Sequence, residues 1–209
     1  MMNKLFIDTC TNQLSIVVKK NDNICYNKVF ENKNKVAEIL IDEIKKASSE
    51  CNIEFKDFNK LYITKGPGSY TGERLALCFG KIYALINKDC EVNIISTLKA
   101  LSLNKKDVTY ITLLDARNLA CFSGVYKNGE ALIEEARLDK EDVLDLINKY
   151  KDSVIVTTST LKDEISSRYN CNAIGVDIAY NMANNEDLFE KNVDPISIKP
   201  VYLRGKNEY

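Results

Sequence analysis

"LYITKGPGSYTGERLALCFGKIYALI", residues 61–86, is the stretch on which the fold turns. A β-branched and aromatic run meets Gly66-Pro67-Gly68 and then a long apolar segment with Gly80 at its centre. The pattern predicts strand, tight turn and helix. Three readings of the turn compete. A phosphate cradle of the Walker type needs Lys and Ser/Thr after its last glycine, but Gly72 is followed by Glu73-Arg74. A dinucleotide fingerprint spaces its glycines GxGxxG, and here the third falls one residue late. The second reading is a plain corner with Ser69 or Thr71 as N-cap to a core helix.

The third reading is a packing surface for another helix, and residues 72–87 speak for it. Leu75, Phe79, Ile82 and Ile86 make one apolar stripe, and Ala76, Gly80 and Ala84 a second one of small residues. Leu77, Cys78, Tyr83 and Leu85 leave almost no polar face beyond Arg74, Lys81 and Asn87. A surface helix needs a single apolar stripe, so this one is expected to be covered on both sides. Glycine costs about 1 kcal/mol against alanine in a helix interior. Gly80 is therefore expected to admit a second backbone, and the cover is expected to come from another subunit.

The chain has 209 residues, 45% of them hydrophobic, enough to bury a sizeable core. The start, with Lys4 and Asp8, does not read as a secretory signal, and no apolar run suffices to span a bilayer. A cytoplasmic protein without membrane contact is expected. The formal net charge of −1 disfavours holding nucleic acid by bulk field alone. Cysteines stand at 10, 25, 51, 78, 90, 121 and 171, with no CxxC, and are expected as reduced thiols. There is no histidine. That removes Ser-His-Asp and Cys-His nucleophilic sites, the usual zinc-hydrolase ligand sets and imidazole acid–base chemistry. No metal site is expected.

The organisation repeats. "KLFIDT", "QLSIVVKK" and "ICYNKVF" read as a three-stranded meander, followed by a helix over 35–48 with Val36, Leu40 and Ile44 on one stripe. A slide of 107 residues places Asp8 on Asp115, Val18 on Val125 and the Asn21 turn on the Asn128 turn. Two similar subdomains, 1–104 and 105–209, each opening with a meander, suggest an α/β protein of the actin/hexokinase/Hsp70-like (ASKHA) superfold. The polar tail after about 184 is expected as an irregular wrap on the second subdomain.

"IDTCTNQLSIVV", "GPGSYTGERLALCFGKIYAL", "ISTLKALSL", "LLDARNLACFSGVY" and "PVYLR" occur in that order over nearly the whole chain. The set resembles the TsaB (YeaZ) family. The resemblance implies a non-catalytic partner of the TsaD transferase in making N6-threonylcarbamoyladenosine on tRNA, assembling with TsaD and the ATPase TsaE and also pairing with itself. ATP and Mg belong to that complex, and tRNA is met through it. TsaD carries a metal-holding histidine pair that this chain lacks. The family pairs through two helices that match 35–48 and 72–87, which implies an interface of Val36, Leu40, Ile44, Arg74, Ala76, Phe79, Gly80, Tyr83 and Ala84. The chain departs from the family pattern at Val36-Ala37, Asp42 and Glu73.

Fold-mates that bind ATP set phosphates against the turns that correspond to Asp8, Thr9 and Thr11 and to Asp115 and Arg117. Against that stand a turn-capping role for Asp8 and an ion pair or turn cap for Asp115. Cys10 stands where such turns keep a glycine. Arg74 reads either as a surface arginine or as a group for a partner's acid or a trapped phosphate. The NKNK run at 32–35 reads as a solvated helix start, or as part of a tRNA-facing surface. The alternative function is a small ATP-dependent phosphotransferase of the same superfold. A peptidase finds no nucleophile constellation.

Overall fold

The computed structural model describes residues 2–11, 13–31, 35–102 and 105–203. The run at 32–35 lies outside the described residues apart from Lys35. The chain divides into two compact units, Met1–Thr97 with Ile178–Val201, and Leu98–Asp177 with Tyr202–Tyr209.

In the first unit, β1 (Asn3–Asp8), β2 (Leu14–Lys20) and β3 (Asn23–Phe30) form the meander, and β4 (Lys60–Thr64) and β5 (Glu91–Ile95) complete a five-stranded sheet in the order β3-β2-β1-β4-β5. β1 to β3 are antiparallel neighbours, whereas β4 and β5 run parallel to β1. Asn21 and Asp22 both adopt positive φ, 48° and 68°, as a tight hairpin turn between twisted strands requires. Leu5 and Ile7 of β1 and Leu14, Ile16 and Val18 of β2 share one core with residues of α1 (Val36–Glu50) and α2 (Tyr70–Ile86). The period-two alternation sends Ser15 and Val17 to the other face, where Ser15 Oγ accepts from the Ala179 amide of a later helix.

The second unit repeats the plan. β6 (Thr109–Asp115), β7 (Cys121–Lys127) and β8 (Glu130–Leu138) are the meander, and β9 (Val154–Thr158) and β10 (Ala173–Val176) lie parallel to β6, in the order β10-β9-β6-β7-β8. β2 and β7 begin 107 residues apart, as do β3 and β8. The similarity shows the two-subdomain superfold. α3 (Thr97–Leu101) opens the unit, and α4 (Lys140–Lys149) and α5 (Lys162–Tyr169) supply Val143, Leu146 and Ile165 to its core.

Two expectations are corrected. The sequence reading gives 105–209 to the second subdomain, but residues 178–201 pack with the first unit. There α6 (Ile178–Asn184) buries Ile178, Ala179, Met182 and Ala183. Behind it, Glu186 takes hydrogen bonds from Lys4 at 2.8 Å, Lys19 at 3.0 Å and the Tyr62 hydroxyl at 2.9 Å. Those partly buried charges hold the return segment, and no local pattern in the tail announces it. The thiols are not all reduced either: Cys25 on β3 and Cys51 at the C-cap of α1 form a disulfide with Cα atoms 5.6 Å apart. The packing of α1 beside β3 brings together residues 26 positions apart. Cys10, Cys78, Cys90, Cys121 and Cys171 are free.

Candidate functional site

The Gly66–Ser69 loop leaves β4 and delivers the chain into α2. Gly66 takes φ +99°, the left-handed side that glycine tolerates. Its amide-rich appearance suggests an anion cradle, but the donors are spent within the protein. Gly68 N–H donates to Glu73 Oε1 at 2.6 Å, Ser69 N–H to the Cys10 carbonyl at 2.6 Å, and Gly72 N–H to Ser69 Oγ at 3.4 Å. Thr9 Oγ1 in turn donates to the Gly72 carbonyl at 2.6 Å. A side chain at 68 would overlap the Cys10 carbonyl, and one at 72 the Thr9 carbonyl. Gly68 and Gly72 thus let the start of α2 lie directly on the β1–β2 turn. The corner reading holds, with Ser69 as N-cap.

That packing decides the fate of the nucleotide-facing residues in the first unit. Asp8 and Thr9 are buried. Asp8 Oδ1 accepts from the Thr64 hydroxyl at 2.6 Å and the Cys10 amide at 3.1 Å, and Oδ2 accepts from the Thr11 hydroxyl at 2.8 Å. Its carboxyl is a turn cap, held above its ordinary pKa by burial. The 8–11 turn does not fit a nucleotide phosphate, because its groups are hydrogen-bonded and α2 covers it. In the second unit Asp115 pairs with Arg168 at 2.8 Å. Arg117 is exposed, in a turn where Arg117, Asn118 and Leu119 all take positive φ of 63°, 51° and 63°.

Burial separates the expected interface residues. Leu40 and Ile44 of α1 and Ala76, Phe79, Gly80 and Tyr83 of α2 point into their own core. Val36 and Ala84 are half-buried, and of the expected set Arg74 alone is exposed. Gly80 is corrected most sharply: a side chain there would strike Ile63 Cδ1 of β4. The glycine makes room for the protein's own sheet, not for a partner's helix. Tyr83 is tied down as well, its hydroxyl donating to the Phe55 carbonyl at 2.9 Å and accepting from the Phe58 amide at 3.1 Å.

The outward face of α2 carries, besides Arg74, residues the interface reading passed over. Tyr70, Arg74, Cys78 and Ile82 follow at four-residue intervals, and Leu85 and Ile86 continue them. Ile82 is 59% exposed, Leu85 60% and Ile86 75%. At the other end the Arg74 guanidinium stacks 3.6 Å from the centre of the exposed Tyr70 ring, a cation–π pair that orders both side chains. Ile41 of α1 is also 40% exposed. Two apolar stripes on one helix hide which faces inward. The signal that discriminates them is Arg74, whose stripe must be the outer one.

Glu73 is the chemically unusual group here. It is 2% exposed, and its Oε2 finds no partner among the described residues. Burial pushes its carboxyl up to about 7, against the opposing pull of the Gly68 amide and Arg74. Between its unfolded value and 7 the folded state holds the extra proton. Stability from this group is therefore greatest in mild acid and is lost as pH rises through 7. Wild type is expected to lose roughly 3 kcal/mol relative to Glu73→Gln between pH 5 and pH 8. Parallel denaturation curves across that range check it; a constant difference would mean that Glu73 does not change its proton there.

Two units of one sheet order, each with helices on its sheet, define a protein of the actin/hexokinase/Hsp70-like class. A family described as TsaD, tRNA N6-adenosine threonylcarbamoyltransferase, matches residues 30–190. A Bacillus subtilis (strain 168) protein named tRNA threonylcarbamoyladenosine biosynthesis protein TsaB is 26% identical over 145 residues, 68% of this chain and 63% of that relative. The uncharacterized protein MG208 of Mycoplasma genitalium is 21% identical over 96% of this chain and 94% of its own length. YeaZ from Pseudomonas aeruginosa shares the fold, with a TM-score of 0.75 at 18% identity, covering 97% of this chain and all of YeaZ. The chain therefore belongs to the TsaD family, among its TsaB (YeaZ) members.

Proposed function

We propose that this chain is a non-catalytic partner protein for a TsaD-type transferase in N6-threonylcarbamoyladenosine modification of tRNA. The family and the Bacillus relative's name support the pathway. The observation that carries the role is the uncovered apolar stripe of α2 ending in Ile82, Leu85 and Ile86. Contiguous exposed apolar surface of this kind marks interaction sites, and Tyr and Arg, present in the Tyr70–Arg74 pair, are enriched where binding energy concentrates. The absence of histidine supports a role without the transferase's metal ligands. A TsaE-type ATPase, with ATP and Mg, joins the same assembly, and tRNA is met there rather than by this chain alone. Self-pairing uses the same α2 stripe when the partner is absent. The protein works in the cytoplasm; no helix among the described residues is long and apolar enough to cross a membrane.

The alternative is an ATP-dependent phosphotransferase. The buried, hydrogen-bonded 8–11 turn speaks against it. Size-exclusion with light scattering on this protein and its cognate TsaD-type transferase is the test. A stable heterodimer with no Mg-ATP binding by the lone chain is expected. Failure to pair, together with Mg-ATP binding by calorimetry, would favour the enzyme.

A further inference from the structure

The disulfide fastens a helix that its own ends hold weakly. α1 starts at Lys35 without a side-chain cap, and its last turn contains Glu50 and no basic residue, the wrong sign for a helix C-terminus. Compensation comes from β2: Lys20 Nζ donates to the Cys51 carbonyl at 3.2 Å and the Asn52 carbonyl at 2.9 Å. The two sulfurs differ in access. Cys25 lies exposed on β3, the edge strand of its sheet, whereas Cys51, whose backbone carbonyl Lys20 holds, is only 4% exposed. In a pair of this kind the exposed thiol is the one a small disulfide can reach, and the shielded one beside it is placed to resolve the mixed disulfide. The free cysteines differ: burial pushes Cys10 well up and Cys90 up to about 12, and Cys78 stands exposed without a pairing cysteine.

We propose that Cys25 and Cys51 form a reversible thiol–disulfide site that closes by exchange with a low-molecular-weight disulfide and clamps the end of α1 to β3. The Cys25 thiolate attacks one sulfur of the small disulfide, forming a mixed disulfide and releasing one small thiolate. The Cys51 thiolate then attacks Cys25 Sγ, forming the internal bond and releasing the second. Two protein thiols are oxidised, their protons pass to the two departing thiolates, and the small disulfide is reduced to two thiols. The loop so closed contains all of α1, and reduction by excess thiol reverses both steps.

The full chain, equilibrated with reduced or oxidised glutathione and quenched in acid, tests this by mass spectrometry. Oxidised buffer is expected to link tryptic peptides 21–28 and 47–56, and reduced buffer to leave both alkylated. Deuterium exchange over the last turn of α1 is expected to slow by about 10-fold in the oxidised state, since a crosslink suppresses local opening. Cys25→Ser, at an exposed position, keeps the fold and exchanges equally in both buffers. The proposal is overturned if Cys25 stops at a glutathione adduct, if both peptides stay alkylated, or if the link forms while α1 exchanges as before.

Discussion

Gly72→Ala is expected to lower stability by about 3 kcal/mol, the upper end of what steric insertion into a packed site costs. The new methyl group would overlap the Thr9 carbonyl, and the next nearest atoms are backbone atoms of Thr9 and Cys10. No flexible side-chain end is available to yield. Relief requires lifting the start of α2 off the β1–β2 turn, which breaks the Thr9–Gly72 and Ser69–Cys10 hydrogen bonds together. Gly80→Ala is the internal control. Its obstacle is the tip of Ile63, which can rotate, and alanine returns about 1 kcal/mol of helix propensity. Urea denaturation of both variants checks the contrast. Near-equal midpoints would mean that the loop shifts freely and that the glycines do not set the position of α2.

The second large effect lies on the outer face. Ile82→Glu combined with Leu85→Glu is expected to weaken pairing with the transferase by more than about 100-fold, close to 3 kcal/mol. Both side chains are well exposed in this chain, so the stability of the isolated protein should change by less than about 0.5 kcal/mol. That separation makes the pair a cleaner probe than Gly80→Arg, which would drive its side chain into Ile63 and disturb the sheet. Light scattering with circular dichroism reads both quantities. Undiminished pairing by the folded double variant would move the interface away from α2.

What the sequence disclosed follows from how local each cause is. The meanders were legible because alternation and the Asn21 and Asn128 turns act over a few residues, and the repeat at 107 residues marked the second unit. The strand at 173–176 was missed: it has four residues, one of them Gly175, too short for a pattern to register. α2 was visible as a helix, but its rotation was not. Phe79 and Ile82 are equally apolar in sequence; apart from Arg74, whose charge marks the outer side, it is the close approach at Gly72 and Gly80 that fixes which one turns to the sheet. The interface expectation therefore drew mostly on residues of the inner side of α2. Glu73 stood out as a departure from the family pattern, yet its bond to the Gly68 amide needed the folded loop. The Cys25–Cys51 pair and the return of 178–201 are long-range, and nothing in their neighbourhoods encodes them.

The returning segment has a consequence for synthesis on the ribosome. The chain emerges from its N-terminus, and the first sheet is complete once β5 has been made. Its Ser15–Val17 face nevertheless waits for α6, and Lys4 and Lys19 wait for Glu186. The second unit, whose sheet and helices form one uninterrupted stretch, is translated within that interval. The cover of the unit begun first thus arrives only after the sheet and helices of the second, and the nascent protein carries an open sheet face through the making of about eighty residues.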